Sequence, residues 1–286
     1  MTAIFSSPRI TILTDEDHPT LHAFLNQDAP GTVYLRSMAH EFPVSPTQDV
    51  AHGRFFGAWK GQDLKAVAFA GNSHNLSTFG DQEFVEPLLK RVEKAPVVPQ
   101  LFVGPEDHAE AVRKFFSRAG FFPKLDRRQY SYVLDRPYLG DTEPLPLRKA
   151  EPNDTHQVLD AHAAMIEEDL KIPRNQMNMT RLEQITRRRI GQDKIWIHES
   201  RGALIFKTEE VSRSAEGVLA GGVYTHPKHR SKGYAARGMA AWAMALFETH
   251  IERLTLHVDA TNQPAIKAYE RVGFSNRDNL RLILCM

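Results

Sequence analysis

The apolar run at residues 9–14, RITILT, predicts a strand, and residues 15–26 follow with helical character, an acidic start and Pro19 in the first turn. Apolar runs at 53–60 and 64–71 flank Gly61-Gln62-Asp63 and predict a β-hairpin. A helix is expected over Phe84–Glu93, a strand over Val97–Val103, and a helix over Ala109–Arg118 that stops at Gly120. Strand-like sequence resumes over Gln129–Leu134. Between Asp135 and Pro152 the pattern breaks, because Pro137, Pro144, Pro146 and Pro152 accumulate with Gly140 among them. That composition reads as a linker, with a domain boundary near 142.

The order then starts again. Leu145–Lys149 predicts a strand and Asn153–Glu168 a helix capped by Asn153 or Asp154. A basic helix over 180–190, short strands at Lys194–Glu199 and Ala203–Lys207, and a polar loop at 208–216 come next. A buried strand from Val218 to Tyr224, punctuated by Gly221 and Gly222, runs towards Pro227, which cannot continue it. The alanine-rich run Ala235–Phe247 has strong helix propensity. A strand at Arg253–Val258, a helix at Gln263–Arg271 and a strand at Leu280–Cys285 complete the chain. Strands and helices alternate in both halves and each half holds a hairpin. The expected fold class is therefore α/β with mixed, mostly antiparallel sheets flanked by helices, in two domains spanning 1–142 and 143–286.

Composition narrows the partners more than the fold. The 286 residues fit two domains on a prior of ~100–200 residues each. A formal net charge of +1 gives no reason to expect a nucleic acid or a membrane surface as main partner. The single cysteine, Cys285, excludes an intrachain disulfide and fits a reducing compartment. No apolar run approaches the ~18 residues of a membrane span. The opening MTAIFSSPRITIL lacks a basic start followed by a long apolar core, so no signal peptide and a cytoplasmic location are expected.

Candidate chemistry concentrates in 217–241, where a strand, a short basic loop and a helix follow one another. Such a turn leaves the first amides of the helix unpaired with the helix dipole behind them, an anion site suited to pyrophosphate. Gly233 lets the backbone approach closely, Ala235 keeps the helix start uncluttered, and Arg230 and Lys232 add charge. The pattern Arg230-x-x-Gly233-x-Ala235 resembles the acyl-CoA-binding signature of the GCN5-related N-acetyltransferases, the GNAT superfamily. It is neither a Walker loop nor a Gly-x-Gly-x-x-Gly turn. About 30 residues on, LHVDATNQPAIKAYERVGF places Asn262 before a helix with Pro264 in its first turn, Tyr269 within it and Gly273-Phe274 at its end. This resembles the second GNAT signature, in the right order and spacing.

The resemblance implies an acetyl-CoA site built from Gly222, Val223, Tyr224, Thr225, Arg230, Ser231, Lys232, Gly233, Tyr234, Ala235, Ala236, Asn262, Ala265 and Tyr269. It implies that Asn262 contacts the pantetheine arm and that the Tyr269 hydroxyl lies beside the sulfur. It also implies that a backbone N–H of the splayed strand, among Gly222, Val223 and Tyr224, serves the thioester oxygen. The Gly pair suits a bulge. With a thiol near 8.5 and tyrosine near 10, full proton transfer to the thiolate is uphill by roughly 2 kcal/mol, so Tyr269 is expected as hydrogen-bond donor and general acid. The amine must be neutral to attack, and Glu167 and Glu168 are the candidate bases, with His226 and His257 as alternatives. Arg187, Arg188 and Arg189 could recruit an acidic acceptor or form a solvated helix face. No metal is expected. The implied activity is acetyl transfer to a small-molecule or protein amine in a ternary complex; the alternative is a non-catalytic acyl-CoA sensor.

The N-terminal half carries a faded copy. Phe116-Ser117-Arg118-Ala119-Gly120-Phe121 matches Tyr269–Phe274 at a constant offset of 153, with Ala109 where Asn262 stands and Phe116 where Tyr269 stands. Near Ser77–Gln82 the loop equivalent keeps Gly80 but has no counterpart of Arg230 or Ala235. The expected organisation is a tandem protein whose first domain has kept its packing and lost its CoA chemistry.

Overall fold

The computed structural model describes residues 7–46, 52–215 and 217–286. The expectation of no signal peptide rests partly on residues 1–6, which lie outside them, as does Glu216 of the expected loop. Two compact units emerge: Met1–Gln129 with Asp278–Met286, and Tyr130–Arg277.

The first unit comprises β1 (Arg9–Ile12), α1 (His18–Leu25), α2 (Val33–Glu41), β2 (Gly53–Lys60), β3 (Asp63–Gly71), β4 (Asn75–Gly80), α3 (Gln82–Val92), β5 (Leu101–Pro105) and α4 (Ala109–Arg118). Its strands lie in the order β1-β2-β3-β4-β5, antiparallel except for the parallel β4/β5 pair. Helices cover both faces, which is why β2 and β3 read as nearly continuous apolar runs. Phe84, Leu88, Phe115 and Phe116 of α3 and α4 fill one core, and Leu21, Leu25 and Leu35 of α1 and α2 fill the other. β5 begins at Leu101 rather than Val97 because Pro99 has no N–H to give a ladder, and the amides of Gln100 and Leu101 both turn to the His74 carbonyl. Sequence reading overlooked α2 and β4.

The second unit takes β6 (Pro123–Asp135) from Tyr130 onwards, then β7 (Arg148–Lys149), α5 (Thr155–Leu170), α6 (Met179–Gly191), β8 (Ile195–Ser200), β9 (Ala203–Arg213), β10 (Gly217–Thr225), α7 (Tyr234–Phe247), β11 (Arg253–Asp259) and α8 (Gln263–Val272). The order is β6-β11-β10-β9-β8-β7, with β10/β11 parallel and β10/β9, β9/β8 and β8/β7 antiparallel. The last strand, β12 (Ser275–Cys285), leaves this unit, and its residues Leu280–Leu284 pair antiparallel with β5. Trp242, Met239 and Leu246 of α7 pack with Leu254 and Leu256 on one face, and Val158 and Ile190 of α5 and α6 pack with Ile195 and Ile197 on the other. Both units are mixed α/β with mostly antiparallel pairing.

Three further expectations differ from the structure. The proline-rich stretch is no free linker: the amides of Arg136, Gly140 and Leu145 bond to carbonyls of Glu252, Val272 and Arg237, all in the second unit. The units part at 129/130, and the terminal 278–286 return to the first. The polar stretch after Lys207 is strand, not loop, since β9 runs on to Arg213. Its charges misled because they pair with one another inside the fold: Lys207, Thr208, Glu209, Glu210 and Ser212 are all buried. The helix expected from Asn153 starts at Thr155 without a side-chain cap, after a short turn in which the Asp154 carboxylate accepts the Glu151 amide at 2.7 Å.

Candidate functional site

The parallel pairing of β10 with β11 ends at Ala220↔Leu256, although β10 continues to Thr225 and β11 to Asp259. Where the strands part, the ladder of β10 with β9 skips from Gly221↔Glu209 to Tyr224↔Lys207. Gly222 sits in that bulge at φ 56, a left-handed conformation that glycine adopts without cost. The result is an open V between β10 and β11. Gly222, Val223, Tyr224 and Thr225 form one of its sides.

At the end of β10 the chain turns sharply. His226 accepts the Lys228 amide, and Ser231 and Gly233 both take left-handed φ, at 59 and 79. α7 then starts at Tyr234 with no side-chain cap, and the Arg237 amide is bonded to the Gly233 carbonyl at 3.1 Å. The amides of Tyr234, Ala235 and Ala236 therefore precede the first helical bond and stand at the positive end of the helix. A Cβ at Gly233 would have no atom of the described residues within 4 Å. Here the backbone faces open space. Lys232 donates to the Lys228 carbonyl at 3.0 Å, and Tyr234 lies edge-on to His229 with centroids 5.7 Å apart.

Arg230 and Glu168, expected in separate roles, are brought together. The guanidinium Nη2 reaches both Glu168 oxygens, at 2.9 and 2.8 Å, while Nε donates to the Thr225 carbonyl. Glu167 is exposed on α5. Asn262 caps α8, its side-chain oxygen accepting the Ala265 amide at 3.2 Å. Tyr269 keeps 7% of its surface exposed, and its ring packs against Phe274. Burial, with the nearby Asp169 charge, holds this phenol well above its ordinary range, so it stays protonated. His257 is the first residue of β11 beyond the paired stretch, and burial pushes its imidazole down to about 4. Among the described residues no group of three His, Cys, Asp or Glu side chains could hold a metal.

Under the bulge lies a charged cluster that sequence reading missed. The Lys207 ammonium, fully buried, donates to Glu209 and, at 2.9 Å, to the Gly222 carbonyl. Glu209 also meets His162 of α5 and, at 3.0 Å, Arg189 of α6. Burial disfavours the Glu209 charge, but Lys207, His162 and Arg189 outweigh it and hold the carboxyl far below its usual range. Burial pushes both the Lys207 ammonium and the His162 imidazole down. Lys207 and Glu209 alternate along β9 onto one face, and that spacing of opposite charges was the available signal.

The first unit repeats this plan but closes it. β4, Gly80, α3, the parallel strand β5 and α4 follow in the same order, and Gly80 has φ 113. Here His108, 1% exposed, meets Thr78 at 2.8 Å and the Gly80 carbonyl at 3.0 Å, and Gln82 bonds the Asp107 carbonyl. A Cβ at Gly80 would lie 2.3 Å from the Lys65 carbonyl oxygen. The turn that faces open space in the second unit is packed solid in the first.

Residues 179–274 match the family described as Acetyltransferase (GNAT) family. An uncharacterised N-acetyltransferase of Bacillus subtilis (strain 168), YycN, is 46% identical over 50 residues, which is 18% of this chain and 32% of that relative. A GNAT-family acetyltransferase from Colwellia psychrerythraea aligns with a TM-score of 0.58 at 13% identity, covering 96% of this chain and 99% of that one. A Drosophila protein solved by X-ray crystallography aligns at 0.68 and 15% identity, covering 96% and 98%. At such identities these structures show the fold.

Proposed function

We propose, from the match of residues 179–274 to the acetyltransferase (GNAT) family, that the chain is an acyl-CoA-dependent N-acyltransferase, with acetyl-CoA as cosubstrate and an amine as acceptor. The observation that carries this reading is the open V between β10 and β11 beside an uncapped helix start. The pyrophosphate would lie on the amides from Arg230 to Ala236, and the pantetheine arm would run past Asn262 and Ala265 towards Tyr269. An acetyl-CoA sensor has no need of a hydroxyl at the sulfur, which favours the enzyme.

In the proposed reaction the neutral amine attacks the thioester carbon, a C–N bond forms, and negative charge gathers on the carbonyl oxygen. The amides at the bulge supply the fixed donors for that oxygen. The C–S bond then breaks, and the Tyr269 hydroxyl hydrogen-bonds the departing thiolate. Its raised pKa makes full proton transfer more uphill than for a free phenol, so solvent completes the protonation. Because Glu168 is engaged by Arg230, Glu167 is the carboxylate left to take the amine proton through water. The first unit, with its turn packed by His108, serves as scaffold and binds no CoA. One buried thiol, Cys285, suits a cytoplasmic setting, and no helix among the described residues is long and apolar enough to cross a membrane.

The test is a panel of amines with acetyl-CoA, following release of free thiol. Thiol release that depends on the amine and yields the N-acetyl product supports the reading; tight acetyl-CoA binding with no transfer to any amine class would favour the sensor.

A further inference from the structure

A buried ion pair is a poor way to stabilise a fold, because desolvation offsets most of the attraction and an apolar pair of the same size does as well or better. The cluster beneath the bulge therefore calls for another reason. Lys207 is fully buried, yet its ammonium spends one hydrogen bond on a backbone carbonyl, that of Gly222. Glu209 holds the ammonium in place, while His162 and Arg189 hold Glu209. His162 is itself fixed from its other nitrogen, which meets the Thr186 hydroxyl at 2.9 Å. With both nitrogens occupied, this imidazole is a brace rather than a base open to substrate.

The carbonyl that Lys207 grips belongs to one trans peptide with the Val223 amide, so the two point in opposite directions. Val223 has no register partner on β9, and β11 has already parted from β10 at Ala220. The space at Gly222 is shaped around the pair: a Cβ there would lie 2.3 Å from Glu209 Oε1 and 2.9 Å from Lys207 Nζ.

Resting on the acyltransfer reading above, we propose that Lys207 is a positioning residue which, braced by Glu209 and His162, grips the Gly222 carbonyl and so turns the Val223 N–H into the V to receive the thioester oxygen. Lys207 touches no reacting atom. It sets the direction of one amide, and the bulge, the left-handed glycine and the buried ion pair are parts of the same device.

The test uses the full chain and acetyl-CoA labelled with carbon-13 at the thioester carbonyl. In the wild type the bound carbonyl resonance should move downfield of the free one, as a donated hydrogen bond requires. Lys207→Met should return it towards the free position with acetyl-CoA affinity changed no more than a few-fold. Turnover should fall ~10²-fold at unchanged KM for acetyl-CoA, the usual loss for one oxyanion donor. Should Lys207→Met fail to fold, the charge-neutral pair Lys207→Met/Glu209→Gln carries the same expectation without a stranded carboxylate. Folded variants that keep both the downfield resonance and the turnover would reduce the cluster to packing and overturn the proposal. A wild-type chain that binds no acetyl-CoA would instead overturn the acyltransfer reading, and the proposal with it.

Discussion

At the scale of single residues, Tyr269 carries the sharpest expectation. Tyr269→Phe keeps the ring against Phe274 and removes only the hydroxyl, so turnover should drop ~10²-fold, in the range of acid–base groups, with CoA affinity little altered. Steady-state kinetics alongside calorimetric binding would separate the two, and full activity would remove Tyr269 from the mechanism. Because burial raises this phenol above its ordinary value of 10, the protonated form persists throughout the working range. The pH–rate profile should then show no alkaline loss owed to Tyr269 below about pH 10. A different residue-scale expectation concerns Arg230 and Glu168, whose side chains are 44% and 47% exposed. Glu168→Gln should change stability by less than about 1 kcal/mol, since solvent screens such pairs, and thermal melts would register anything larger.

At the scale of elements, what was legible depended on how local the signal is. Gly233, Asn262, Pro264 and Gly273 announce helix starts and stops by their own chemistry, and the turns around α7 and α8 lie where these residues place them. The bulge at Gly222 was likewise readable from a glycine pair inside a strand. Lys207 and Glu209 were not, because their burial depends on His162 and Arg189 arriving from α5 and α6. α2 was overlooked for a similar reason: its burial depends on packing against β2 and β3. The two strand-to-helix turns now allow a paired test. Gly80→Ala puts a Cβ 2.3 Å from a backbone oxygen at φ 113 and should cost at least about 2 kcal/mol of stability. Gly233→Ala, in open space at φ 79, should cost only about 1 kcal/mol. Denaturant midpoints that reversed this order would contradict the packed and open turns described here.

At the scale of the whole molecule, the proline-rich stretch pointed to a boundary near 142, while the contacts divide the chain at 129/130 and send residues 278–286 back to the first unit. Composition marks an irregular path, but only pairing decides which unit owns it. Ile283, fully buried in the first unit's core, illustrates the consequence: Ile283→Ala should destabilise that unit by about 2–5 kcal/mol although it lies at the far end of the chain. The repeat itself was legible through the 153-residue offset, and its asymmetry is what the proposed function rests on. One turn faces open space beside a V with a phenol, and the other is filled by His108. The central claim is thus that each chain binds one acetyl-CoA, on the second unit's turn. Calorimetric titration of the full chain with acetyl-CoA should give a stoichiometry of one, with binding abolished in a folded Gly233→Val protein. Two sites per chain, or undiminished binding by Gly233→Val, would contradict it.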